Sequence, residues 1–272
     1  MKDFNSKLVL ITGSAGGIGR ATALRFSEEG ADLILVDINE EGLESAAREI
    51  ESRGRKALWY KTDLSDADQV EALHRKVTDD AGTPDVLMNA AGVVIVTCVE
   101  EAGLEDWRWI LDTNLWGYIY MIHYFLPDMI RKRSGYVINV ASAAGLFAIP
   151  YQAPYNTSKH AVVGLTESVR QEMGRYGIGA SVVCPGMIKT PMIDTARVIG
   201  FKDSAQKMAG RAAASPEKMA DAIIRGVRKN RAVIMYPPYI NLLYGLKRFS
   251  PRAADLLSKG ISRVFYRQHR MK

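Results

Sequence analysis

The 272-residue chain is 47% hydrophobic and 24% charged, an ordinary globular composition with room for one α/β domain of full size. Two cysteines, Cys98 and Cys184, argue against a disulfide framework and fit a reducing cytosol. The net charge of +6 belongs to the tail: from Asn241 to Lys272 eight Lys/Arg oppose Asp255 alone, a net of +7, which leaves the rest at −1 with no basic footprint for nucleic acid.

Residues 1–7 lead into an apolar run without a signal-peptide layout, and no apolar stretch approaches the ~20 residues that span a bilayer. The expectation is a cytoplasmic protein. Leu8–Ile11 stops at Thr12-Gly13, the pattern of a buried parallel strand. Thr12-Gly13-Ser14-Ala15-Gly16-Gly17-Ile18-Gly19 comes next, then helical periodicity from Arg20 to Phe26. Strand, glycine turn and helix in that order aim backbone N–H groups and a helix N-terminus at a phosphate. Glycines at 13, 17 and 19 also suit a tight turn with nothing bound, but their place between strand and helix favours a nucleotide. Ala31–Val36 is a second strand ending on Asp37, about 20 residues past the glycines, where a carboxylate accepts from ribose hydroxyls and repels a 2′-phosphate. Asn39 is placed to cap a helix over Glu40–Ile50. No arginine comes directly after Asp37, so NAD is expected, with NADP the second option because of Arg20.

Ala57–Thr62 is a third strand, ending at Asp63-Leu64, and Ser65 or Asp66 opens a helix over Ala67–Ala81. A fourth strand runs through Val86-Leu87-Met88 into Asn89-Ala90-Ala91-Gly92, where small side chains let backbone and dinucleotide approach. This alternation predicts a doubly wound parallel sheet of about seven strands with helices on both faces. Glu105–Arg131 reads as one long helix carrying Asn114, with Trp107, Trp109 and Trp116 assigned to core or subunit contacts. Gly135–Val140 is the fifth strand, and Ser142 lies just past its carboxyl end, where ligands bind in such sheets. Pro154 sits in the first turn of the next helix, which places Tyr155 and Lys159 on one face. An ammonium beside a phenol favours the phenolate and lowers the tyrosine from ~10, making it a general acid or base near neutrality. Ala180–Cys184 is a sixth strand, closed by Pro185-Gly186.

Over residues 6–236 these motifs resemble the short-chain dehydrogenase/reductase family. The resemblance implies a Rossmann-type α/β fold and a single domain over 1–238 with a built-in substrate loop at about 190–212; residues 239–272 depart from the family pattern as a basic amphipathic C-terminal extension. Thr12, Gly13, Ser14, Gly17, Ile18 and Gly19 are similar to the cofactor turn, Asp63 and Leu64 to the adenine contacts, and Asn89, Ala90 and Gly92 to the element after the fourth strand. Pro185, Gly186, Ile188 and Thr190 match the run beside the nicotinamide. Asn114, Ser142, Tyr155 and Lys159 fall where the family keeps its catalytic tetrad: Tyr155 exchanges the proton, Lys159 supports it and binds the nicotinamide ribose, Ser142 holds the substrate oxygen, and Asn114 holds a relay water. The implied reaction is hydride transfer between nicotinamide and a carbinol or carbonyl carbon. A dimer or tetramer through the Glu105–Arg131 and Tyr155–Tyr176 helices is also implied.

Phe147, Tyr151, Met187 and Met192 are the expected substrate contacts, with Val198, Ile199 and Phe201 as a lid. So apolar a set suits a steroid, retinoid or long-chain alcohol. A 3-oxoacyl thioester reductase is the alternative, although Arg231–Tyr236 runs into Pro237-Pro238 without the V-D-G-G-like turn usual there. An isomerase or dehydratase using bound NAD, and an NAD-binding scaffold whose tail docks to a membrane or partner, are readings of other classes. No histidine has metal-ligand spacing, so no metal is expected. In the extension, Ser250-Pro251 starts a helix on which Ala253, Leu256, Leu257, Gly260, Ile261, Val264 and Phe265 alternate with arginines. That helix packs on the body or a neighbouring subunit, or touches an anionic membrane.

Overall fold

The computed structural model describes residues 1–202 and 213–270, so residues 203–212 of the expected substrate loop lie outside the described residues. The first half alternates strand and helix: β1 (Leu8–Thr12), α1 (Gly17–Glu28), β2 (Asp32–Asp37), α2 (Glu40–Ser52), β3 (Ala57–Lys61), α3 (Ala67–Asp80) and β4 (Val86–Asn89). Asn39 caps α2, accepting from the Gly42 N–H, and Asp66 caps α3, accepting from Asp68 and Gln69. A two-residue strand β5 (Ile95–Val96) precedes α4 (Leu104–Leu111) and α5 (Gly117–Lys132). The expected continuous helix is broken between these two by a π-helical turn over Asp112–Trp116, with Asn114 buried at its centre. The asparagine's side chain is drawn to groups outside the helix, which the wider turn accommodates.

Beyond it come β6 (Gly135–Val140), α6 (Ala153–Met173), β7 (Ile178–Pro185), the short α7 (Pro191–Asp194) and β8 (Arg197–Val198). Helix α8 (Pro216–Arg228), capped by Ser215, and β9 (Val233–Tyr236) complete the body; α9 (Tyr239–Phe249) and α10 (Pro251–His269) make up the extension. The sequence pattern announces α10 but not α9.

Seven strands pair in parallel in the order β3-β2-β1-β4-β6-β7-β9. Because strand side chains alternate, Val9, Ile11, Leu33 and Leu35 pack one face against α1, α2 and α8. Leu10, Ile34, Val36 and Leu87 pack the other against α3, α5 and α6. The order reverses between β1 and β4, which opens a crevice at the strands' carboxyl ends. A separate two-stranded parallel pair, Ile95↔Arg197 and Val96↔Val198, ties the segment after β4 to the segment after α7.

Candidate active site

A cleft of about 570 Å³ lies over that crevice. Its inner end holds the tyrosine–lysine pair. Tyr155 is 8% exposed and Lys159 2%, and the Lys159 Nζ lies 5.7 Å from the Tyr155 ring centre. Nζ donates to the Val140 carbonyl at 3.1 Å. Burial governs both groups. It pushes the Lys159 ammonium down to about 7 and raises the Tyr155 phenol, against a hydrogen bond with Ser142 that favours ionisation. The expected lowering of the tyrosine by its lysine therefore does not hold in this fold, because burial outweighs the Ser142 hydrogen bond and the lysine is itself brought down to about 7.

Ser142 Oγ accepts from the Ala144 N–H at 3.1 Å, capping a short 3₁₀ turn (Ala143–Gly145). That bond uses a lone pair and leaves the hydroxyl proton for Tyr155 or a substrate oxygen. Asn114 is engaged throughout its amide: Oδ1 accepts from the Val93 N–H at 2.8 Å, and Nδ2 donates to the Val93 carbonyl and to Ser158 Oγ. It fastens the segment after β4 to the helix bearing Tyr155 and Lys159. A Cβ on Gly92 would meet Asn114 Oδ1 at 3.0 Å and Lys159 Nζ at 3.4 Å, so glycine gives this junction its room.

A model of the short chain dehydrogenase family matches residues 7–198. The chain belongs to the short-chain dehydrogenases. A probable oxidoreductase, EphD, of Mycobacterium tuberculosis is 33% identical over 92% of the chain, which spans 44% of that protein's length. A 3-oxoacyl-[acyl-carrier-protein] reductase, FabG, of Thermotoga maritima is 37% identical over 69% of the chain and 76% of that protein. A short chain dehydrogenase/reductase from Burkholderia phymatum, solved in complex with NAD, superposes with a TM-score of 0.85 at 28% identity, covering 91% of this chain and 95% of that one. The oxidoreductase class and the Rossmann NAD-binding fold rest on these matches and on the sheet order.

The cofactor end of this short-chain dehydrogenase fits a dinucleotide. Helix α1 starts at the cleft with no side chain capping it and no acid in its first turn, whereas α2, α3 and α8 are each capped by a side chain. Its free N–H groups are left for a phosphate. Gly13, at φ +67°, passes so close to the segment after β4 that a Cβ there would lie 2.6 Å from the Ala91 nitrogen. Asp37 Oδ2 accepts from the Ala15 N–H, which joins the carboxylate to the glycine turn. Arg20 turns away to Ser45 and Glu49. Among the described residues lining the cleft, Lys159 is the sole cation, at the end opposite Asp37 and Asp63.

Gly13, Gly17, Ile18, Asp37, Asp63, Leu64, Gly92, Ser142, Tyr155, Lys159, Pro185, Gly186, Met187, Ile188, Thr190 and Met192 all line the cleft. Thr12, Ser14, Gly19, Asn89, Ala90 and Asn114 stand outside that lining, several of them bracing it. Thr12 Oγ1 accepts from the Ala90 and Ala91 N–H groups, Ser14 Oγ donates to the Val36 carbonyl, and Asn89 donates to Asn139. Phe147 and Tyr151, expected at the substrate, also lie outside the cleft lining. Phe147 packs near Leu146 and Val162, while Tyr151 stacks 5.5 Å from Phe265 of α10.

Trp109 is the reverse case, a residue expected in the core or at a subunit contact that lines the cleft. Arg197 holds it there, its guanidinium 4.2 Å from the indole centre and paired with Asp106. Tyr118 is missing from the set of residues expected at the site. Its hydroxyl donates to the Ala91 and Val140 carbonyls, bridging the ends of β4 and β6 beside Lys159. Its position one turn past Asn114 is the signal that marks it.

Proposed function

We propose that this protein transfers a hydride between a nicotinamide dinucleotide and a lipophilic secondary alcohol or its ketone, with NAD preferred over NADP. One observation carries the reading: Tyr155, Ser142 and Lys159 converge at the buried end of a cleft whose outer wall is apolar. Val94, Trp109, Ile149, Met187, Met192 and Ile193 form most of that wall, with Gln152, Thr113 and Thr195 as uncharged polar residues among them. The nicotinamide, when bound, accepts or returns the hydride. Tyr155 takes the hydroxyl proton in oxidation and gives it back in reduction. Ser142 holds the substrate oxygen as charge develops on it, and Lys159 supplies a proton acceptor and donor behind the phenol. Asn114 is a positioning residue, since its amide is occupied by Val93 and Ser158. Faces of α5 and α6 serve self-association in this reading; Trp116 on the turn before α5 is 46% exposed and stacks on Tyr120.

The test is NADH formation over secondary alcohols graded from small to sterol-sized. Rates that climb with apolar bulk support the proposal, and turnover of polyols alone would overturn it. Tight NAD binding without turnover of any alcohol or ketone would favour the isomerase or scaffold readings. The likeness to a 3-oxoacyl reductase keeps thioesters on the panel, but β9 leads into Pro237-Pro238 and two further helices.

NAD preference rests on Asp37. A 2′-phosphate would sit against its carboxylate with no described cation at that end of the cleft. Asp37→Ser is expected to raise the NADP:NAD ratio of kcat/KM roughly tenfold or more, the equivalent of at least about 1.4 kcal/mol of relieved repulsion. A wild type that already prefers NADP would sink this assignment.

A further inference from the structure

Helix α10 is held to the body by a narrow seam and carries its larger apolar side chains outside it. Ala254, Ser258, Ser262, Phe265 and His269 form the inward seam, spaced three and four residues apart. Phe265 packs 5.5 Å from both Tyr151 and Phe201, and the Tyr151 hydroxyl meets Ser262 Oγ at 2.8 Å. Arg270, just past the helix, pairs with Glu101 and donates to the Gly200 carbonyl. These contacts hold the helix to the body and to the start of the substrate loop.

Beside and beyond this seam the helix is exposed to solvent. Leu256 is 71% exposed, Ile261 and Val264 56% each, and Leu257 48%. Leu256, Gly260 and Val264 lie on one line along the helix, with Leu257 and Ile261 beside it. Arg252, Arg263 and Arg267 border this patch; all three are exposed and none has an ion-pair partner among the described residues. Lys259, by contrast, pairs with Asp255 at 2.7 Å. At the corner before the helix, Phe249 is 88% exposed.

We propose that this face of α10 seats the protein in the plane of an anionic lipid bilayer. The inference goes beyond the reaction assigned above and does not depend on it. Charge selects the occupant. The segment from Asn241 onward carries +7 while the remainder of the chain carries −1, so the positive field is concentrated where the apolar patch lies. A two-fold contact with a second copy would set the same arginines against each other, like charges at a dehydrated interface. An anionic surface takes up the apolar stripe and the arginines together. No helix of the described residues is long and apolar enough to cross a membrane, so α10 lies along the surface.

Co-sedimentation of the full chain with phosphatidylcholine vesicles, with and without phosphatidylglycerol, tests this at low and high salt. The wild type is expected to pellet with the phosphatidylglycerol vesicles at low salt and to leave them at high salt. Leu256→Asp/Ile261→Asp should lower the bound fraction at least tenfold while keeping the wild-type melting temperature, since both positions face solvent. Arg263→Gln/Arg267→Gln should release at lower salt. A wild type that stays in the supernatant with anionic vesicles, or a Leu256→Asp/Ile261→Asp variant that binds like it, overturns the proposal. So does light scattering in which that variant drops to a smaller assembly while the wild type ignores lipid, because the face then belongs to a second copy.

Discussion

Tyr155→Phe is expected to lower kcat about a thousandfold or more, with NAD affinity unchanged within a few-fold. The substitution removes one oxygen and keeps the ring that fills the base of the cleft, so packing is preserved. What is lost is the group that exchanges the substrate proton, a contribution of about 10²–10⁴-fold in general acid–base catalysis. Burial raises the phenol's pKa, so the phenolate is scarce at neutral pH and oxidation should accelerate as pH rises. Reduction, which needs the protonated phenol, should hold its rate at neutral pH and below. Steady-state rates from acid to alkaline pH, together with NAD titration by fluorescence, read both effects. Residual activity within tenfold of wild type would remove Tyr155 from the chemistry.

The parts of this site that are legible in the sequence are those set by local geometry. A glycine turn between strand and helix is short and self-contained, and so is a tyrosine one helical turn from a lysine. Asn39 and Asp66 announce their helices because capping is a matter of three or four residues. The features that escape depend on pairings between distant segments. The β5–β8 pair has two residues in each strand, too few for any periodicity, and together with the Arg197–Asp106 ion pair it brings Arg197 over Trp109 at the cleft wall. Pro237-Pro238 reads as an end, and Gly245 interrupts the apolar run beyond it, so α9 has no clear signal.

Tyr151 and α10 fail for a related reason. An aromatic beside the start of the tyrosine helix reads as a substrate contact until a helix more than a hundred residues later supplies its partner. Within α10, Phe265 and the Leu256–Val264 group look like one amphipathic pattern, although Phe265 is covered by Tyr151 and Phe201 while the others stay exposed. Periodicity shows that residues share a helix. Only the tertiary contacts show which face is covered.

Lys159→Met is the second large effect, and it moves stability and activity in opposite directions. The lysine is 2% exposed, and burial brings its pKa down to about 7 from the ordinary lysine value of 10.5. Between those values the unfolded chain holds a proton that the folded chain has released, so wild-type stability rises with pH across that window. Below pH ~7 both states are protonated and the full cost of burying the ammonium remains, on the order of a few kcal/mol. Methionine matches the stem without the charge, and the Val140 carbonyl that Lys159 contacts keeps the Tyr118 hydroxyl as a donor. The variant should therefore melt several degrees above wild type near pH ~6, converge with it toward pH ~10, and lose most of its turnover. Thermal melts over that range decide the matter. A variant that melts below wild type at pH ~6 would mean that the buried ammonium stabilises this fold, and the placement of its cost at the catalytic end of the cleft would be wrong.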